Sequence, residues 1–154
     1  MALKHFNLTN PVFQIFLGHC ALVLLKTSLM SIVTVLVFYA STPQKKVLKI
    51  KSDKDHEEKS QTITEYSQVE RVRRCHRNDL ENVLPFVLLG LMYVATNPDL
   101  TTAAFIFRTF TISRFIHTIV YLLTLPQPLR AIAFVVGFLI NIYMTWYIIT
   151  AALF

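Results

Sequence analysis

An all-α integral membrane protein, built as a bundle of four helices, is the fold this 154-residue sequence predicts. Three observations predict it. Hydrophobic residues make up 54% of the chain, mean hydropathy is +0.50, and there are only three glycines. Three apolar segments, 11–40, 103–125 and 131–154, reach the roughly 20 residues that a membrane-spanning helix needs. Ten of the fifteen Lys and Arg residues fall between Lys45 and Arg77, so the basic charge is confined to one stretch between apolar regions. The length suits a single domain, 1–154.

The first helix is expected over 11–40, with Pro43 just past its end as a stop. Its apolar run is too long for a cleaved leader, contains Lys26, and lacks a small-x-small cleavage site, so it is read as a helix that stays in the membrane. Residues 41–68 are polar and charge-rich without an apolar period, and are expected to form a loop. Positive charge is retained on the cytosolic side, which puts that loop in the cytosol and both termini on the far side. The same bias explains the net charge of +6 without a nucleic-acid partner. Cys20 and Cys75 sit in different helices without disulfide or metal spacing, so neither a bridge nor a metal site is expected.

The second helix is expected over 69–95, with Pro85 inside it. Its uninterrupted apolar part, Val83–Ala95, covers about 20 Å of a hydrocarbon core about 30 Å thick. Completing the span draws in residues 76–82, and with them Arg77, Asn78, Asp79 and Glu81. An ionised group facing lipid there costs about 2.5–3.5 kcal/mol, so these side chains are expected to turn inward, toward partner helices or a wet pocket. The turn NPDL (97–100) leads to a third helix over 101–124, and LPQP (125–128) to a fourth over 128–152.

Topology then brings charge together. Helical spacing gathers Arg73, Arg77 and Glu81 in one arc, with Arg74 and Asn78 beside it. Arg114, His117 and Tyr121 share a face of the third helix, and Arg130 lies in the first turn of the fourth. All belong to the cytosolic half. A cluster with surplus positive charge predicts an anionic ligand. A glutathione-like molecule fits, with two carboxylates for arginines, an amine for Glu81, and a thiol ionised near Arg130 and a helix N-terminus. A phosphate or another anion fits the same charges. Structural roles are expected elsewhere: Lys26 pairing with Asp79 or Glu81, Arg108 reaching the far interface, His19 and Asn141 bonding between helices, and Tyr143, Trp146 and Tyr147 in an interfacial belt.

VERVRRCHRNDLENVLPF followed by GLMY, and FRTFTISRFIHTIVYLLTLPQPLRA, resemble the second- and third-helix signatures of the membrane-associated proteins in eicosanoid and glutathione metabolism, the MAPEG family. The motifs cover about 69–136, and length and helix layout extend the likeness over the chain. The resemblance implies a homotrimer in the endoplasmic reticulum, with the mitochondrial outer membrane as a second location, and glutathione held between subunits on the cytosolic side. It implies glutathione contacts at Arg73, Arg74, His76, Arg77, Asn78, Glu81, His117, Tyr121 and Arg130, with Arg130 catalytic as the stabiliser of the thiolate, and no metal. The activity implied is detoxifying transfer of glutathione to lipophilic electrophiles, with reduction of lipid hydroperoxides. Prostaglandin-synthase isomerisation and non-catalytic lipid or glutathione binding are the alternatives. Arg73–Arg74 and LPQP match the transferase branch, and Arg77 matches the prostaglandin branch. Ala131 replaces the prostaglandin branch's serine and favours the transferase. Phe38 stands where both branches carry an arginine, for which Lys45 or Lys46 is a substitute. The loop lacks the transferase branch's cysteine, so activation by thiol modification there is not expected.

Overall fold

The computed structural model describes residues 5–51 and 55–153, with side chains for 5–40 and 68–153. Four helices follow in order: α1 (Pro11–Lys51), α2 (Asp55–Ala95), α3 (Leu100–Leu122) and α4 (Gln127–Leu153). Among the described residues, three stretches are long and apolar enough to cross a membrane: Pro11–Ala40, Leu100–Leu122 and Gln127–Leu153. This is the four-helix membrane architecture expected from the sequence, with α2 the one helix not among those three stretches.

The stretch 41–68 differs from the expected loop. Its described backbone is helical, α1 running on to Lys51 and α2 beginning at Asp55. The segment contains no glycine and many strong helix formers, so a polar composition did not preclude a helix. Pro43 does not stop α1. The side chains of Lys45 and Lys46 lie outside the described ones. Pro85 does not break α2, which continues through Ala95.

Local chemistry fixes the helix ends. The Val12 N–H donates to Asn10 Oδ1 at 3.0 Å, capping α1. Asp99 caps α3, accepting from the Thr102 N–H at 2.9 Å and the Thr102 hydroxyl at 3.1 Å. At the end of α3, Thr124 adopts φ 57° and the Leu125 N–H closes back on the Val120 carbonyl at 3.1 Å, a Schellman turn. Asn97 makes the corresponding left-handed step after α2, at φ 55°.

The Thr102 N–H holds the exposed Asp99 carboxyl below the usual carboxylate range. A depressed folded-state value means the cap stabilises above the unfolded value, about pH 4, and loses that effect as pH falls through the folded value. Asp99→Asn keeps a capping oxygen that does not titrate. Its melting temperature is therefore expected to fall less than the parent's between neutral and acid pH, measured by circular dichroism.

The core is an aromatic layer of Phe16, Phe86, Phe107, Phe110 and Tyr93, all buried. Phe86 and Phe110 stack with centroids 3.8 Å apart. Between lipid-facing helices such packing, rather than water exclusion, supplies the attraction. Phe16 of α1 lies against Gly90 of α2, where an added Cβ would stand 2.2 Å from Phe16 Cε2. The ring is buried and packed against Phe86 and Phe107, so yielding to the Cβ would disturb that aromatic layer. Gly90→Ala is therefore expected to cost about 1–3 kcal/mol of stability, read as a lower melting temperature in detergent. A second, smaller cluster is formed by Met30, Val72 and Cys75, with Tyr121 packed against it. Both cysteines are free and buried.

Candidate functional site

Helix α2 divides its polar residues between two opposite faces. Val72, Cys75, Asp79, Asn82, Phe86 and Tyr93 are buried against the other helices. Arg73, Arg74, Arg77 and Glu81 point away from the bundle, with side chains 62%, 61%, 72% and 61% exposed. At about 100° per residue, 73, 77 and 81 fall roughly opposite 75, 79 and 82, so one helix cannot bury both sets in one bundle. The expected convergence of all these groups inside the chain is thus replaced by a split. The outward set is lightly tied: Arg73 and Arg74 to Glu70 at 3.7 and 3.2 Å, and Arg77 to Glu81 at 3.8 Å. Leu84, Leu88 and Met92 carry the same exposed stripe further along the span.

The inward set forms an ionic knot. Lys26 Nζ pairs with Asp79 Oδ1 at 2.5 Å, both buried, so the expected partner is Asp79 and not Glu81. Lys26 also donates to the Arg114 carbonyl at 3.1 Å. Arg114 is completely buried. Its Nη2 donates to the carbonyls of Ala133 at 2.7 Å and Phe134 at 3.3 Å, its Nη1 to Asn78 Oδ1 at 3.4 Å, and its guanidinium lies 5.8 Å from the Phe110 ring centroid. Arg114 is therefore occupied by the protein itself, a correction to its place in an anion site. Asn78 Oδ1 faces the same guanidinium rather than the exposed stripe.

A third group stands where α3 ends and α4 begins. His117 is buried, with its ring 5.5 Å from that of Tyr121. The guanidinium of Arg130 lies over the Tyr121 ring at 5.1 Å. Tyr121 packs against the layer of Val72 and Cys75, so Arg130 belongs to the same level of the bundle as the outward arginines of α2. His76 is half-buried and turns toward α1, its Nε2 3.3 Å from Ser31 Oγ. Three buried nitrogens here, His76 Nδ1, His117 Nδ1 and Arg130 Nε, have no partner among the described residues. The fold thus joins His117, Tyr121 and Arg130, and separately joins Arg73, Arg74, Arg77 and Glu81, on different faces of one chain. Phe38, where the family pattern has an arginine, is half-exposed with its ring edge-on to Tyr39.

Ser31 and Gly137 escaped sequence reading. A serine in an apolar helix carries no signal of its partner. Gly137, one of three glycines, sits in the interior of α4, where glycine is about 1 kcal/mol worse than alanine, and that cost was the available clue. The polar bonds expected of His19 and Asn141 are present: His19 Nδ1 lies 3.0 Å from Thr111 Oγ1, and Asn141 donates to the Asn82 carbonyl at 3.3 Å. An apolar groove of about 410 Å³ lies between α3 and α4, lined by Ile112, Ile116, Val120, Leu129, Ile132 and Val136 among others. Among the described residues no group of His, Cys, Asp or Glu is arranged to hold a metal.

The profile of the MAPEG family matches residues 16–150. Microsomal glutathione S-transferase 1 of Bos taurus is 41% identical over 149 residues, 94% of each chain. The protein of that name from Homo sapiens is 39% identical over 149 residues, again 94% of each. Prostaglandin E synthase of Equus caballus is 44% identical over 69 residues, 45% of each chain.

Proposed function

We propose that this chain, which belongs to the MAPEG family, is a membrane-bound glutathione transferase whose site closes between copies of itself. The observation that carries this reading is the outward cationic stripe of α2. Arg73, Arg74 and Arg77 outnumber their acidic neighbours Glu70 and Glu81 and stand exposed beside leucines of the same helix. Lipid is a poor environment for them, and a neighbouring subunit plus an anion is a good one. A homotrimer in the endoplasmic reticulum membrane, with the site facing the cytosol, meets that need.

In this arrangement Arg73, Arg74 and Arg77 take the two glutathione carboxylates, and Glu81 accepts its ammonium group. His76, Asn78, His117 and Tyr121 border the site. Arg130, held over the Tyr121 ring with its Nε uncommitted, stabilises the thiolate. The thiol proton leaves to water. The sulfur then bonds to the electrophilic carbon while the leaving group departs with its electron pair. Lipophilic electrophiles reach the sulfur from the bilayer, and at the same thiolate a lipid hydroperoxide is reduced to the alcohol and water as two glutathione thiols are oxidised to the disulfide.

Calorimetric titration of purified protein with glutathione, paired with conjugation to 1-chloro-2,4-dinitrobenzene, tests the reading. Saturable binding with turnover is expected. Binding without turnover of any electrophile or peroxide would make the chain a non-catalytic member of the family. The stretch similar to prostaglandin E synthase keeps endoperoxide isomerisation as a second reading, and Ala131 counts against it. Endoperoxide turnover faster than conjugation would reverse the order.

A further inference from the structure

We propose that Arg114 and Gly137 form a clamp that sets the position of the first turns of α4, and through them of Arg130. Arg114 is bonded to every other helix. Its carbonyl accepts from Lys26 of α1, its Nη1 reaches Asn78 of α2, and its Nη2 holds Ala133 and Phe134 of α4. Carbonyls inside a helix already accept one bond from the N–H four residues on. Arg114 uses their remaining lone pairs, which requires the guanidinium to lie directly on the α4 backbone. Only a residue without a side chain permits that approach. A Cβ at position 137 would stand 2.8 Å from Arg114 Nη2, 2.9 Å from Nε and 3.0 Å from Cζ.

The clamped carbonyls belong to the turn that follows Arg130. The other end of the same α3 face, Tyr121, lies under the Arg130 guanidinium. Arg114 and Tyr121 are seven residues apart, about 10 Å along α3. Two contacts on one face of α3 therefore fix both the depth and the rotation of the α4 N-terminal half. Lys26 and Asp79 anchor the clamp on its inner side. Arg114 is a positioning residue: it touches no substrate and acts through the helix that carries Arg130.

The consequence for chemistry rests on the glutathione reading above, while the clamp itself is separately testable. Gly137→Ala pushes the guanidinium off the backbone without removing a charge, and Arg114→Lys keeps the charge without the fork. In full-length protein, hydrogen exchange of the amides in 128–136 is expected to quicken at least about tenfold in either variant, with 140–150 unchanged. The turnover number with 1-chloro-2,4-dinitrobenzene is expected to fall about 100-fold, with the glutathione KM within about threefold. The pH midpoint for the ultraviolet band of bound thiolate is expected to rise by about one unit. Unchanged exchange over 128–136 overturns the clamp. Faster exchange with the parent's turnover and thiolate band overturns its link to Arg130. Should the parent protein itself bind no glutathione, faster exchange still supports the clamp and only the transferase reading falls.

Discussion

Asp79→Leu is expected to destabilise the protein by about 3–5 kcal/mol, enough to unfold it or lower its melting temperature sharply in detergent. Asp79 is fully buried, and its carboxylate stands against Lys26 Nζ at 2.5 Å. Removing it leaves two cations, Lys26 and Arg114, buried together with no carboxylate between them, compensated by carbonyl and amide dipoles and the Phe110 ring. The double variant Lys26→Met/Asp79→Leu removes both charges and fills similar volumes with apolar atoms. Such exchanges are often neutral or stabilising, so the second substitution should recover most of what the first loses. Arg114 keeps its α4 carbonyls in that double variant. Thermal unfolding followed by circular dichroism, run as a double-mutant cycle, decides the matter. A single variant no less stable than the double would show that the pair contributes nothing to the fold.

Arg130→Ala is expected to lower the conjugation turnover number by about 10²–10³-fold, the usual consequence of removing one preorganised group that stabilises developing or resident negative charge. The guanidinium is half-buried and held over Tyr121, so its charge acts with little reorganisation. A cation beside a thiol lowers the thiol's pKa and keeps the thiolate populated at neutral pH. Without it, the thiolate forms only as pH rises toward the range of a free thiol. The variant's rate should therefore climb steeply on the alkaline side, where the parent's is already level. Arg130→Lys restores a positive charge without the guanidinium fork and should recover part of the loss. A rate and pH profile unchanged by Arg130→Ala would remove Arg130 from the chemistry.

Much of the architecture was legible because helix-forming signals are local. Apolar runs of span length and turn residues at NPDL and LPQP are read without knowing what packs against what. The 41–68 segment was misread because polar composition separates buried from solvated chain and does not separate helix from loop. The buried partner of Lys26 was narrowed to two acids by position, and the 3.6-residue period leaves Asp79 inside and Glu81 outside once the packed face is known.

Apolar runs alone were enough to foretell that four helices form and that three suit a bilayer. Helix length and hydrocarbon thickness fix those outcomes without reference to neighbours. Which way each charge turns was settled by the packing of the helices. It sent Asp79 and Arg114 into a knot that ties the helices together, and left Arg73, Arg74, Arg77 and Glu81 on the opposite face. It also set the Arg114 guanidinium on the α4 backbone at Gly137. A helix's rotation about its own axis is chosen by the packing of all four helices at once, and no stretch of sequence contains that choice.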